Sequence, residues 1–109
     1  LPSVYYDMYG AHSDVPELLG QTLLEGMACG APGLCTDVAS LPEVVTHGTT
    51  GFVVPPCDTA AMRTAITALT SDASLVQRLG DAARDDVRRR FTWQAVVEAC
   101  LRVYGLARP

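Results

Sequence analysis

What the chain lacks narrows its function first. No apolar run approaches the ~20 residues that a membrane-spanning helix needs. There is no dense basic stripe: 8 Lys and Arg stand against 12 Asp and Glu, a formal net charge of −4, so nucleic acid is not an expected partner. None of the four cysteines, Cys29, Cys35, Cys57 and Cys100, forms a CxxC pair, and His12 and His47 lie away from them in sequence. That argues against a zinc site and for reduced core thiols in a cytoplasmic protein. The start, Leu1-Pro2-Ser3, has neither the charged nor the apolar segment of a secretory signal. It also lacks an initiator Met, so the expectation is a piece of a longer sequence or a trimmed one. Internal repeats and low-complexity stretches are absent.

What remains is a chain of 109 residues, 49% hydrophobic and 18% charged. Length and composition describe one soluble globular domain, residues 1–109, rather than a disordered segment. A chain of this size buries roughly two-thirds of its unfolded surface, enough for one core.

Residues 1–6 read as the end of a strand. Residues 7–16, with Gly10, Ser13, Asp14 and Pro16, read as a loop. Residues 21–29 place Leu23, Leu24, Met27 and Ala28 at helical spacing, with Gly30 and Pro32 as the stop. Residues 33–36 form a short buried strand. Residues 41–47 form a short helix, with Ser40 as N-cap and Glu43 completing a capping box. Residues 51–54 form a further buried strand, stopped by Pro55-Pro56. Helical periodicity then runs through 60–69, 73–90 with Gly80 as a break between two pieces, and 93–104 with Thr92 as N-cap. Short apolar strands alternating with helices predict an α/β fold: a partial doubly wound, Rossmann-like parallel sheet of about three strands with flanking helices.

Ligands of such sheets bind beyond the C-terminal ends of the strands, which selects the loop of residues 7–20. Gly20-Gln21-Thr22 opens a helix, where free N–H groups and the positive dipole end favour an anion, above all a phosphate. Glu17 precedes that helix and Glu25 lies on it. Eight residues of ideal helix rotate about 80° and rise ~12 Å, so two such carboxylates would flank an anion without meeting. A diphosphate with hydroxyls on both sides, as in a nucleotide sugar, suits that spacing. Two glutamates so spaced are equally compatible with a solvated helix position and a dipole-stabilising charge.

The run Pro16-Glu17-Leu18-Leu19-Gly20-Gln21-Thr22-Leu23-Leu24-Glu25-Gly26-Met27-Ala28-Cys29-Gly30-Ala31-Pro32 resembles the Glu-x7-Glu signature of the large retaining GT-B glycosyltransferase family, group 1. The likeness continues through Thr36-Asp37, Leu41-Pro42-Glu43-Val44-Val45, Gly48-Thr49-Thr50-Gly51-Phe52-Val53-Val54-Pro55-Pro56 and Phe91-Thr92-Trp93. It implies the second half of a C-terminal, donor-binding domain. It implies that Glu17 lies by the donor sugar hydroxyls and that Glu25 holds the ribose. Backbone amides around Leu18, Leu19, Gly20, Gln21 and Thr22 would then face the sugar or the diphosphate. The donor would be a UDP- or GDP-sugar and the reaction metal-independent, no Asp-x-Asp being present. The acceptor domain and the phosphate-binding Arg and Lys would lie outside the chain, leaving this piece inactive alone. Departures are Gly26 for the usual Ala, Ala39-Ser40 for a common Gly-Gly, and Gly33 for a β-branched residue.

Two other functions fit the class: a nucleotide-sugar epimerase of the same fold, and a non-catalytic interaction module. Expected surface behaviour completes the reading. His12 is a solvated loop residue. His47 sits at a helix C-terminus. Arg84, Arg88, Arg89 and Arg90 with Asp81, Asp85 and Asp86 form a solvated charged face, with peripheral membrane contact as its alternative reading. Phe91, Trp93 and Tyr104 anchor the last helix. An unpaired strand edge at residues 1–6 invites self-association.

Overall fold

A computed structural model describes residues 1–105. The elements run α1 (Gln21–Ala28), β1 (Gly33–Thr36), α2 (Leu41–Val44), β2 (Gly51–Val54), α3 (Thr59–Ser71), α4 (Ala73–Arg90) and α5 (Trp93–Val103). β1 and β2 pair in parallel, Gly33 opposite Gly51 through Thr36 opposite Val54. The fold is α/β with a small parallel sheet and flanking helices.

Among the described residues the sheet has two strands, not three. Residues 1–6 do not form the expected strand. Leu1 still occupies the place beside β1: its amino group donates to the Leu34 carbonyl at 2.7 Å, and the Thr36 N–H donates to the Leu1 carbonyl at 3.3 Å. That pair of bonds follows the parallel-ladder pattern. Beyond it the chain turns back as a tight hairpin, with Tyr6 bridged antiparallel to His12.

The outer edge of β2 is closed by a side chain. Nδ1 of His47 lies 3.1 Å from the Val53 nitrogen and 3.0 Å from the Val53 carbonyl oxygen. The imidazole accepts from the first in one tautomer or donates to the second in the other. Phe52 meets the ring edge-on at 5.5 Å. His47 is therefore an edge plug rather than a helix C-terminal residue, because α2 ends at Val44. Polar groups exposed along an edge invite another strand. His47→Ala is expected to speed hydrogen exchange at the Val53 amide roughly tenfold, the worth of one net hydrogen bond, and to raise the sedimenting mass at high concentration. Unchanged Val53 exchange would refute the plug.

The core joins α1, the sheet, α2 and α4 through Met27, Cys35, Leu41, Val44, Val45 and Ala83. Cys35 is the one buried thiol; Cys29, Cys57 and Cys100 are exposed, contrary to the core reading of all four. Burial pushes the Cys35 thiol above its usual pKa, which makes it a poor nucleophile. α4 is one continuous helix through Gly80. Gly80 is a contact point, not a break: a Cβ there would collide with the carbonyl oxygen of Gly30, in the turn after α1.

Helix starts follow local chemistry. Asp58, Asp72 and Thr92 accept from the N–H groups of Ala61, Leu75 and Ala95. The Leu75 N–H, aided by the Ser74 hydroxyl, holds the Asp72 carboxyl below its usual pKa. Ser40 precedes α2 but makes no cap bond; its hydroxyl donates to the Leu18 carbonyl at 2.6 Å instead. The charged face of α4 is not wholly solvated, since Asp86 is buried. Both its oxygens are held, by Arg89 and by Arg90 at 2.8 Å. Arg90 also donates to the Glu43 carbonyl and covers the Phe91 ring at 4.7 Å. α5 contributes no buried residue. Trp93 is 86% exposed, so neither it nor the exposed Tyr104 acts as the expected anchor.

Candidate functional site

Three loops meet where β1 ends. The Ala39 N–H donates to the Tyr5 hydroxyl at 3.0 Å, and the Ser40 hydroxyl reaches the Leu18 carbonyl. Ala39 adopts φ 50°, a left-handed conformation that costs a Cβ-bearing residue about 1–2 kcal/mol. This explains physically why glycine suits the position, and why this loop carries strain.

The α1 N-terminus opens into this junction. Gly20, its N-cap, is buried with φ 73°. A Cβ there would come within 2.6 Å of Leu41 Cδ2, so both conformation and space demand glycine. Having no side chain, Gly20 caps nothing, and α1 carries no acidic residue in its first turn. Among the described residues the N–H groups of Gln21, Thr22 and Leu23 have no acceptor. These donors and the dipole give the helix start its positive end.

Glu17 sits half-buried before it. One carboxylate oxygen accepts from the N–H groups of Leu18 and Gly20, each at 3.1 Å. Two of the amides assigned to a ligand are thus engaged by the protein's own anion. The loop is built to hold a carboxylate-like oxygen, and Glu17 fixes its shape.

Glu25 is exposed, one turn along α1. It lines a concavity of about 460 Å³ together with Leu19, Gln21, Phe91, Thr92 and Trp93. Leu19, Gln21 and Glu25 therefore meet the start of α5, a neighbour that sequence reasoning missed. The signal was Phe91-Thr92-Trp93, where an aromatic pair flanks a helix cap. Thr22 lines a different hollow, with Leu1, Leu23 and Met27; only its backbone N–H belongs to the helix start. Leu18 is largely exposed and contributes its backbone. Of the two glutamates, Glu17 bonds its own loop ahead of α1 and only Glu25 lines the concavity. No group of three His, Cys, Asp or Glu able to hold a metal occurs among the described residues, and no described helix is long and apolar enough to cross a membrane.

Comparison with known proteins identifies the family of the chain. The model described as "Glycosyl transferases group 1" matches residues 4–86. The chain is 35% identical over 88 residues to N-acetyl-alpha-D-glucosaminyl L-malate synthase of Bacillus anthracis, covering 81% of this chain and 23% of that protein. It is 35% identical over 98 residues to phosphatidyl-myo-inositol mannosyltransferase of Mycobacterium leprae, covering 90% and 26%. Among solved structures, sucrose-phosphate synthase from Thermosynechococcus elongatus superposes with a TM-score of 0.72 at 33% identity, over 81% of this chain and 22% of that one. Anabaena HepE in complex with UDP shares the fold, with a TM-score of 0.74 at 22% identity, over 85% and 26%. The chain spans about a quarter of the length of these proteins.

Proposed function

This chain belongs to the group 1 glycosyl transferases, and from that premise we propose that it is the donor-binding part of a retaining enzyme that moves a sugar from a nucleoside diphosphate to an acceptor hydroxyl. The observation that carries the reading is the junction at Gly20: an uncapped helix N-terminus, a carboxylate held just before it, and a second carboxylate opening on a concavity one turn later.

In this reading the diphosphate lies against the first-turn amides of α1, where N–H donors and dipole offset its charge without a metal. Glu25 accepts the two ribose hydroxyls from the wall of the concavity. Trp93 and Phe91 supply the apolar surface that the nucleoside covers. Glu17 orients the donor sugar. Departure of the diphosphate breaks the C1–O bond. The acceptor oxygen forms its bond to C1 from the same face, and its proton passes to the leaving phosphate oxygen. The chain's contribution is to stabilise the charge developing on that oxygen and on the sugar.

Binding of UDP or GDP to the chain, followed by calorimetry, tests this. Glu25→Ala is expected to weaken binding roughly ten- to a hundredfold, the worth of hydrogen bonds to a charged group. Glu25→Gln is expected to lose less, since its amide oxygen still accepts one hydroxyl. Equal affinity in wild type and Glu25→Ala would remove the anchor role.

A further inference from the structure

The hairpin that replaces the expected strand end has an architecture of its own. Asp7 closes it: the Asp7 carboxylate accepts from Tyr9 N at 2.8 Å and Ala11 N at 2.9 Å, with Gly10 at φ 81° completing the turn. The Asp7 N–H donates to the Ala11 carbonyl and the Ser13 N–H to the Tyr5 carbonyl. Tyr6 and His12 stand directly opposite each other. Their rings are 4.7 Å apart and inclined by 53°. Asp14 lies 3.2 Å from His12 Nδ1. That contact orients the imidazole and leaves Nε2 without a partner among the described residues. The corner is open: Tyr6 is 61% exposed and Tyr9 86%, and the Asp14 side chain 93%.

These groups make a small, preorganised set. A tyrosine face is electron-rich and apolar, the surface that the C–H-bearing side of a pyranose ring covers. Beside it stand a fixed imidazole nitrogen and a carboxylate, which bond hydroxyls. Because the hairpin is closed by its own hydrogen bonds, little ordering entropy opposes binding. Its Tyr5 hydroxyl ties it to Ala39, and Ser40 ties that loop to Leu18. The corner is therefore anchored to the same end of the sheet as Glu17.

We propose that Tyr6, His12 and Asp14 form a second carbohydrate subsite, for a pyranoside ring on the acceptor side of the transfer. The role of the subsite rests on the donor-binding reading; its existence does not. The sugar ring covers Tyr6, with Tyr9 at the rim, while His12 Nε2 and the Asp14 carboxylate take ring hydroxyls.

Saturation-transfer NMR tests it, with methyl α-D-mannopyranoside and methyl α-D-glucopyranoside as probes and irradiation of the tyrosine ring protons. The expected result is transfer to the ring C–H protons of at least one glycoside, persisting under saturating UDP or GDP. The signal should fall about fivefold in Tyr6→Leu, the order of one aromatic contact, and fall further in Tyr6→Leu/His12→Ala. His12→Ala alone, which leaves the Asp7 turn intact, keeps the test open if Tyr6→Leu misfolds. No transfer to either glycoside, displacement by the nucleotide, or an unchanged signal in both single variants would overturn the subsite. Calorimetry with UDP on the same samples separates the two readings. Nucleotide binding without glycoside transfer removes only the subsite, and transfer without nucleotide binding removes only the donor role.

Discussion

If the donor-binding proposal holds, replacing Glu17 by alanine is expected to lower kcat for sugar transfer by roughly ten- to a hundredfold, with a small change in donor KM. Two losses combine. In the proposed role the carboxylate would no longer meet the sugar while charge develops at C1, an interaction strongest in the transition state that would therefore appear in kcat. The Leu18 and Gly20 amides also lose their acceptor, which loosens the loop that sets the reacting geometry. Glu17→Gln separates the two, because its amide oxygen still accepts from both N–H groups while the negative charge is gone. A kcat restored to wild type by Gln assigns Glu17 to loop shape alone. A kcat low in both variants assigns it to charge at the reacting centre. Wild-type kinetics in Glu17→Ala would exclude it from either role.

The second large effect concerns packing. Gly80→Ala is expected to lower stability by about 2 kcal/mol, or roughly 8–16 °C in Tm. The sign makes this informative. In a free helix, Ala in place of Gly gains about 1 kcal/mol. Here the new methyl group meets the Gly30 carbonyl oxygen, a backbone atom that cannot turn aside. α4 must then move off the turn that ends α1. That shift disturbs the core around Met27 and Ala83 and carries α1, with Glu25, away from the start of α5. Differential scanning calorimetry decides it: a higher Tm in Gly80→Ala would mean that α1 and α4 do not approach as described.

Much of this was legible in the sequence wherever the determinants are local. Gly33–Thr36 and Gly51–Val54 form the predicted strands because each is a short apolar run closed by breakers. α4 starts at the predicted Ala73, and α5 starts where Thr92 offers the predicted cap. The features that escaped depend on partners distant in sequence. Residues 1–6 carry strand-forming residues, yet only Leu1 makes backbone bonds to β1, Ser3 takes the Thr36 hydroxyl alone, and Tyr5 and Tyr6 pair instead with the chain returning from Asp7. His47 reads as a helix terminus until β2 is placed beside it. Asp86 looks like one charge among many along α4; its two arginines are near it on the same helix, but its burial and the reach of Arg90 to the Glu43 carbonyl come only with the fold. At the site, Glu17, Gly20 and Glu25 were visible from spacing and family likeness. The hold of Glu17 on its own loop follows from the left-handed turn at Gly20. Trp93 joins Glu25 only because α4 delivers α5 next to α1.

Trp93 is the single tryptophan of the chain and shares the concavity with Glu25, which makes its emission a reporter of that site alone. Titrating UDP and GDP while following Trp93 fluorescence tests the donor-binding account most directly. A saturable change with at least one nucleotide, shifted roughly ten- to a hundredfold to higher concentration in Glu25→Ala, is the predicted result. Saturable binding by calorimetry with Trp93 emission unmoved, or no binding of either nucleotide, would contradict it.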